Sequence, residues 1–357
     1  MTPRERLASY ARGEYVDRLP AALSAAETIP LLYGINLCDH YFSADLMVET
    51  ETRLANEFGA DNMGIGLGLR TLPEALGVKL EYPKDSVSYI IAPAITSLSE
   101  NELNKINPVD INKDGRLPII AEAFERLLDK FADTHIISSG LAGPFTTAAE
   151  LAGTEKFLKA LIKDKESAHK LLQRSLDCVV KCCEDMNKKL GIKFTLSEPM
   201  ASRNLLSKHQ AEEFFFPYLK QAVERMNKFQ GATGVHICGS TRDRWDDVVG
   251  CGVSAFWIDN CESIRDLKEL YGNKIAISGN VTPVEILKNG TPAQIAEAVR
   301  QCILDGADNP CGYTLCPGCT TPVMTSRENL KAFMDAAMKY GKGARKGFLP
   351  EGVMNEN

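Results

Sequence analysis

The chain has 357 residues, 41 basic and 47 acidic, for a formal charge of -6, and no basic run exceeds a few residues; that balance argues against a nucleic-acid partner. No stretch approaches the roughly 18 consecutive apolar residues of a membrane span, and the opening MTPRERLASYARGE is polar rather than a signal-peptide core, so no membrane partner is expected and a cytoplasmic location is. Eleven cysteines in such a chain read as thiols, some of them metal ligands, rather than as disulfides.

Short apolar runs alternate with longer helical stretches, the pattern of repeated βα units around a parallel sheet. In chain order, 1–27 reads as an N-terminal helical segment, TIPLLYGI (28–35) as the first strand and DNMGIGL (61–67) as the second. VSYIIAPAI (87–95) reads as part of a small hairpin inserted after it. The later strands are HIISSGLAG (135–143), KFTLSEP (193–199), ATGVHICG (232–239), VSAFWID (253–259), IAISGNV (275–281) and GYTLCPGC (312–319). Amphipathic stretches such as 155–190 and 209–230 separate them as helices. No Gly-, Pro- or Ser-rich linker divides the chain, and eight βα units in one domain predict an α/β fold, a (β/α)8 TIM barrel over 1–357, with 345–357 as a flexible tail.

Chemistry in such barrels gathers at the carboxyl ends of the strands. Strand four ends in Ser197 and Glu198, strand five in His236 and Cys238, strand six in Asp259, and strand eight in Cys316, Gly318 and Cys319. In an extended strand residues two apart share a face, so His236 and Cys238 emerge side by side, half of a tetrahedral zinc site. A histidine, one or two cysteines and two carboxylates converge on one rim. Cys316-x-x-Cys319 also fits a redox pair or a four-ligand structural site. Cys178, Cys182 and Cys183 fall at helical spacing and read as packing residues; Cys251, Cys261 and Cys302 show no partner spacing, and Cys311, near the same turn as Cys316, is given no role. Tyr33, Asn36, Asp39 and His40 follow the first strand and are candidates to touch a small substrate. GNVTP, with Gly279 and Asn280, reads as a structural turn.

Five segments carry a resemblance over nearly the whole chain: 141–164, SEPMASRNLLSKHQAEEFFFPYLK (197–220), HICGST (236–241), ISGNVTP (277–283) and CPGCTTPVMTSRENLKAFM (316–334). They are similar to the uroporphyrinogen decarboxylase superfamily, and within it to the zinc-dependent corrinoid methyltransferases typified by the methylcobamide:coenzyme M enzymes. That branch carries H-x-C after the fifth strand and a later cysteine in a P-G-C turn, which implies His236, Cys238 and Cys319 as Zn2+ ligands and leaves Cys316 outside. The decarboxylases resemble one another in an N-terminal R-Q-A-G-R-Y segment and an F-S-D-I segment; this chain has neither, and no acid lies between Asn62 and Arg70.

The resemblance implies a methyltransferase that moves a methyl group between a corrinoid (methylcobalamin), on a transiently bound carrier protein, and a small thiol such as coenzyme M. Two cysteinates and a neutral histidine leave a fourth position for the substrate thiol. The alternatives are a demethylase that loads the corrinoid from a methyl ether, methylamine or methyl halide, a uroporphyrinogen decarboxylase, and a zinc-stabilised binding protein. Glu198, where the family usually carries Asp, and Asp259 are the catalytic candidates, filling the fourth zinc position or orienting a water there until substrate displaces it. Each also fits a helix cap or a surface acid.

Overall fold

The structure is a computed structural model and describes residues 1–25 and 28–355. Its strands in chain order are β1 Val16–Arg18, β2 Lys79–Glu81, β3 Tyr89–Ala92, β4 Ser138–Ala142, β5 Lys193–Ser197, β6 Gly234–Ile237, β7 Ala255–Ile258, β8 Ala276–Val281, β9 Tyr313–Pro317 and β10 Lys342–Ala344. β4 to β9 pair side by side in sequence order and all in parallel, as βα repeats require. These are the third to eighth strands expected from the apolar runs.

Two extended segments join the edges of this sheet. Ser138 and Ala142 donate to the carbonyls of Met63 and Gly68 (both 3.1 Å), which attaches 61–68 to β4. Ala22 donates to Leu315 O (2.9 Å) and Leu315 to Pro20 O (3.0 Å), which attaches 20–23 to β9; Asp61 N–H then donates to Ala21 O (2.8 Å). The ring thus has eight staves, two of them held by isolated bridges. The second stave stays irregular because it presses on β4: a Cβ at Gly64 would lie 1.8 Å from Ser138 O, and its φ of +153° suits only glycine.

The first stave is not where the apolar run placed it. Within 28–35 the chain forms a helical turn, Ile29–Leu32, with Pro30 in its first positions, where the missing N–H costs nothing. A short buried helix and a buried strand share the same apolar signature, and the true stave, 20–23, is too rich in alanine to announce itself. The helical segment expected over 1–27 is half right. A capping box between Thr2 and Glu5 starts the helix Pro3–Ala11. β1 then pairs with β10 in an antiparallel ribbon, Val16 opposite Ala344; residues 26 and 27 lie outside the described residues. Asp61, 2% exposed, accepts from the guanidiniums of Arg6 and Arg18 and from Ala21 N–H, tying this segment to the barrel floor.

The expected tail, 345–357, is packed as far as it is described. Arg345 donates to Gly13 O (2.9 Å), and the turn Glu351–Met354 buries Val353 completely. The inserted hairpin is present as β2 and β3, Leu80 opposite Ile90. The helix Lys165–Leu190 buries Leu172, Leu176, Val179, Cys183 and Met186 along one stripe, and Cys178 and Cys182 lie in the same packed face. No helix among the described residues is long and apolar enough to cross a membrane.

Candidate metal centre

His236 stands in β6 level with Trp257 of β7. Level residues on parallel neighbours point the same way, and the two rings stack with centroids 4.0 Å apart and planes 32° apart. His236 Nδ1 lies 2.9 Å from Trp257 O. A carbonyl only accepts, so Nδ1 carries the hydrogen and Nε2 presents its lone pair to the other side. There it meets Cys238 Sγ at 3.0 Å, and Cys238 Sγ lies 3.4 Å from Cys319 Sγ. The three ligand atoms all fall within 4.8 Å of one another, and among the described residues they form the one such cluster.

Cys319 arrives from the turn after β9. Gly318 N–H donates to Val281 O (2.9 Å), and the turn passes so close to the neighbouring loop that a Cβ at 318 would sit 2.5 Å from Asn260 N. Cys316 lies within β9, fully buried, with burial and Cys302 both pushing its thiol up, and it is outside the cluster. The strand ends between the two cysteines, and that separates them.

The donor set fits zinc. The hydrogen bond from Cys238 and the nearby His236 hold the Cys319 thiol well below its ordinary value, while that same bond and burial push Cys238 far above its own. Two thiols at this distance keep one proton between them, and a cation is what would take both as thiolates. Two sulfurs and an imidazole whose other nitrogen is tied to a carbonyl are the ligand types, with the outer partner, that zinc sites use.

The carboxylates are engaged elsewhere. Asp259 Oδ2 accepts from Gly239 N–H (2.8 Å) and Oδ1 from Cys261 N–H (3.1 Å), fixing the turn that carries Cys238. Glu198 is fully buried at the start of the helix Pro144–Ala152, where its oxygens accept from Phe145 N–H (3.0 Å) and Thr146 N–H (2.8 Å). Burial pushes it up to about 7 against the pull of those donors. Neither acid joins the metal cluster or lines the adjoining cleft. Tyr33 donates to Glu57 (3.0 Å) and Asn36 to Asp39 (3.0 Å), while His40 is buried and held down at about 4 by burial and Arg116; none of the four lines the cleft. Asn280 belongs to β8 rather than to a turn, and its amide donates to Asp259 O (3.0 Å) and Glu262 O (2.7 Å), a bracing role.

The cleft opens beside the three ligands, about 160 Å³ in volume, below the roughly 300–1,000 Å³ usual for drug-sized ligands. Leu67, Leu69, Trp257, Ser197 and Thr320 line it together with two arginines, and among the described residues no carboxylate does. Arg116 is answered by Glu74 at 2.8 Å and donates to Tyr82 OH and Thr71 Oγ1. Arg70 is less satisfied. It donates to Ser88 O at the root of the hairpin, but its Nε has no hydrogen-bond partner and stands 4.0 Å from Glu150, whose Oε2 is also unpaired. Sequence reading missed Arg70, Arg116 and Trp257. Trp257 was within reach, because it shares a strand face with Asp259; the arginines lie at the edges of the insertion, where no periodicity marks them.

A family profile described as Uroporphyrinogen decarboxylase (URO-D) matches residues 2–340. The chain is 26% identical over 342 residues to the Methylated-thiol--coenzyme M methyltransferase of Methanosarcina mazei, covering 94% of this chain and 89% of that protein. It is 27% identical over 344 residues to the Methylcobamide:CoM methyltransferase MtbA of Methanosarcina acetivorans, covering 95% and 98%. A solved methyltransferase from Methanosarcina mazei superposes with a TM-score of 0.81 at 23% identity over 94% of this chain and 98% of that one, a likeness of fold.

Proposed function

The chain belongs to the uroporphyrinogen decarboxylase (URO-D) family, and on that premise we propose that it is a zinc-dependent methyltransferase moving a methyl group between a carrier-bound corrinoid and a small anionic thiol. The observation that carries this reading is the trio of His236 Nε2, Cys238 Sγ and Cys319 Sγ at the wall of a cleft lined by Arg70 and Arg116 and, among the described residues, by no carboxylate. The methyltransferase names of the relatives support it. A decarboxylase would need an acid for pyrrole nitrogens, and among the described residues none lines the cleft.

His236, Cys238 and Cys319 would hold the zinc, which supplies the Lewis acidity that keeps an incoming thiol deprotonated and nucleophilic at neutral pH. Two thiolates and a neutral imidazole balance a divalent ion, so the charge left in the cleft is that of the arginines. Arg116 is neutralised by Glu74, whereas the Arg70 side chain lines the cleft about a third exposed (31%), with its nearest carboxylate 4.0 Å away, and suits an anionic tail on the substrate. A cationic methylamine would be repelled there. Leu67, Leu69 and Trp257 supply apolar wall that keeps water from the sulfur. Transfer forms a carbon–sulfur bond and breaks the cobalt–carbon bond, its electron pair staying on cobalt; the thiol proton leaves to solvent. Run backwards, the corrinoid's cobalt electron pair would take the methyl group from a methylated thiol, forming the cobalt–carbon bond as the carbon–sulfur bond breaks and the thiolate leaves to regain its proton from solvent. Asp259 and Glu198 act in this reading through the backbone, holding the Cys238 turn and the start of the helix Pro144–Ala152.

The test is the visible-spectrum loss of methylcobalamin, free and bound to a small corrinoid protein, with a panel of thiols and folates. Demethylation by a small anionic thiol, faster from the carrier and abolished in Cys319→Ala, is the expected result. Methylation of cob(I)alamin from ethers or amines, with no thiol active, would replace this reading with the demethylase.

A further inference from the structure

β7 contributes no metal ligand, yet it and the residue just after it contact His236 and the near neighbours of Cys238 and Cys319. β7 lies beside β6, which ends in His236 and Cys238, and is separated by β8 from β9, which leads to Cys319. Trp257 meets His236 twice: its carbonyl takes the Nδ1 hydrogen at 2.9 Å, and its indole stacks on the imidazole at 4.0 Å. The same indole reaches across β8 and donates its Nε1 hydrogen to Pro317 O at 2.8 Å, two residues before Cys319. Two residues on, just past the end of β7, Asp259 takes the Gly239 N–H beside Cys238.

Trp257 lines the cleft, and the half-buried bond of its indole N–H runs to a carbonyl 60 residues away rather than to a local partner. Its consequence is geometric. The Cys319 turn is held to β8 by Gly318 N–H to Val281 O (2.9 Å) and to the chain just past the first stave by Thr321 N–H to Ser24 O (2.9 Å), and the indole bond to Pro317 O ties its start to the ring that lies on His236. One rigid ring with two torsions therefore spans the gap between the histidine half and the cysteine half of the site. We infer that Trp257 is a positioning residue that sets His236 and Cys319 at their mutual distance and thereby the affinity and ligand geometry of the site; this rests on the metal reading above. Outer partners of metal ligands typically carry about 10- to 100-fold in metal affinity.

Two variants separate the contacts. Trp257→Phe keeps a ring over His236 and loses the bond to Pro317; Trp257→Leu loses both, and the main-chain carbonyl survives in each. Zinc affinity is read by competition with a chromogenic chelator, and the cobalt(II)-substituted proteins report ligand geometry through their thiolate charge-transfer and ligand-field bands, with circular dichroism as the fold control. The expected result is a loss of about 10-fold in affinity for Phe, approaching about 100-fold for Leu, with weakened charge-transfer bands. Wild-type affinity and an unchanged cobalt spectrum in both variants would reduce Trp257 to cleft wall and overturn the inference. If Leu does not fold, Phe alone decides. A wild-type protein that takes up neither metal overturns the metal reading itself, a different and recognisable failure.

Discussion

Replacing Arg70 by Met tests whether the cleft selects its substrate by charge. In the free protein the Arg70 guanidinium donates to Ser88 O and has its nearest carboxylate at 4.0 Å without a hydrogen bond to it, and both Arg70 Nε and Glu150 Oε2 are unpaired. The resting structure loses the bond to Ser88 O when the cation goes, a cost common to every substrate. Glu150, already pushed up to about 7 by burial, takes a proton once Arg70 no longer opposes that shift, so no buried charge is left stranded. With an anionic thiol bound, by contrast, the variant forfeits a charge-assisted hydrogen bond of about 1.5–3 kcal/mol, or roughly 10- to 150-fold in kcat/KM. A neutral thiol of the same length forfeits nothing and should hold its kcat/KM within about threefold. The assay is methylcobalamin demethylation with 2-mercaptoethanesulfonate, 3-mercaptopropionate and 2-mercaptoethanol as a charged and neutral series. Equal losses for charged and neutral thiols would show that Arg70 shapes the cleft without reading charge, and the anionic-substrate reasoning would fall.

Metal analysis should find about one zinc per chain; Cys238→Ala and Cys319→Ala should lose it and Cys316→Ser retain it, since only the first two sulfurs lie in the cluster. Glu51 gives a pH signature of burial alone. It is wholly enclosed on the helix Ala44–Phe58 and pushed up from 4.5 to about 7, with Gly64 N–H as its one opposing donor. The native state therefore binds more protons than the unfolded state between those values, and stability falls as pH rises through that window. Glu51→Gln removes this proton linkage, so denaturant titrations at about pH 4.5 and pH 8 should show the variant gaining about 3 kcal/mol on the wild type across the interval. A gap that does not change with pH would mean that Glu51 is ionised throughout.

Much of the barrel was legible because strands β4 to β9 carry short apolar stretches, buried residues largely alternating with half-buried ones, set between longer amphipathic helical stretches. His236 and Cys238 were legible for an equally local reason: the side-chain period of an extended chain is two, so their common face follows from their spacing. The family likeness added Cys319 and the methyl-transfer chemistry, which no spacing within this chain implied. The first stave was missed where local signals conflict, an alanine-rich stave at 20–23 followed by an apolar helical turn at Ile29–Leu32.

Periodicity and composition depend on neighbours along the chain, and they were enough to establish a βα barrel with a histidine and a thiol on one rim. The remaining features depend on neighbours in space. Cys316 and Cys319 differ by three positions, yet β9 ends between them, and only the packed turn against Asn260 decides which sulfur comes within 3.4 Å of Cys238. Glu198 and Asp259 carry the right chemistry for a metal and stand at the right strand ends, but their oxygens are taken by backbone N–H groups from β4's following helix and from the loops after β6 and β7. Arg70 and Arg116 reach the cleft from opposite ends of the inserted segment. Closing the ring brings residues from distant segments to one rim, so ring closure, rather than any pattern along the chain, determined the charge of the cleft and the span bridged by Trp257.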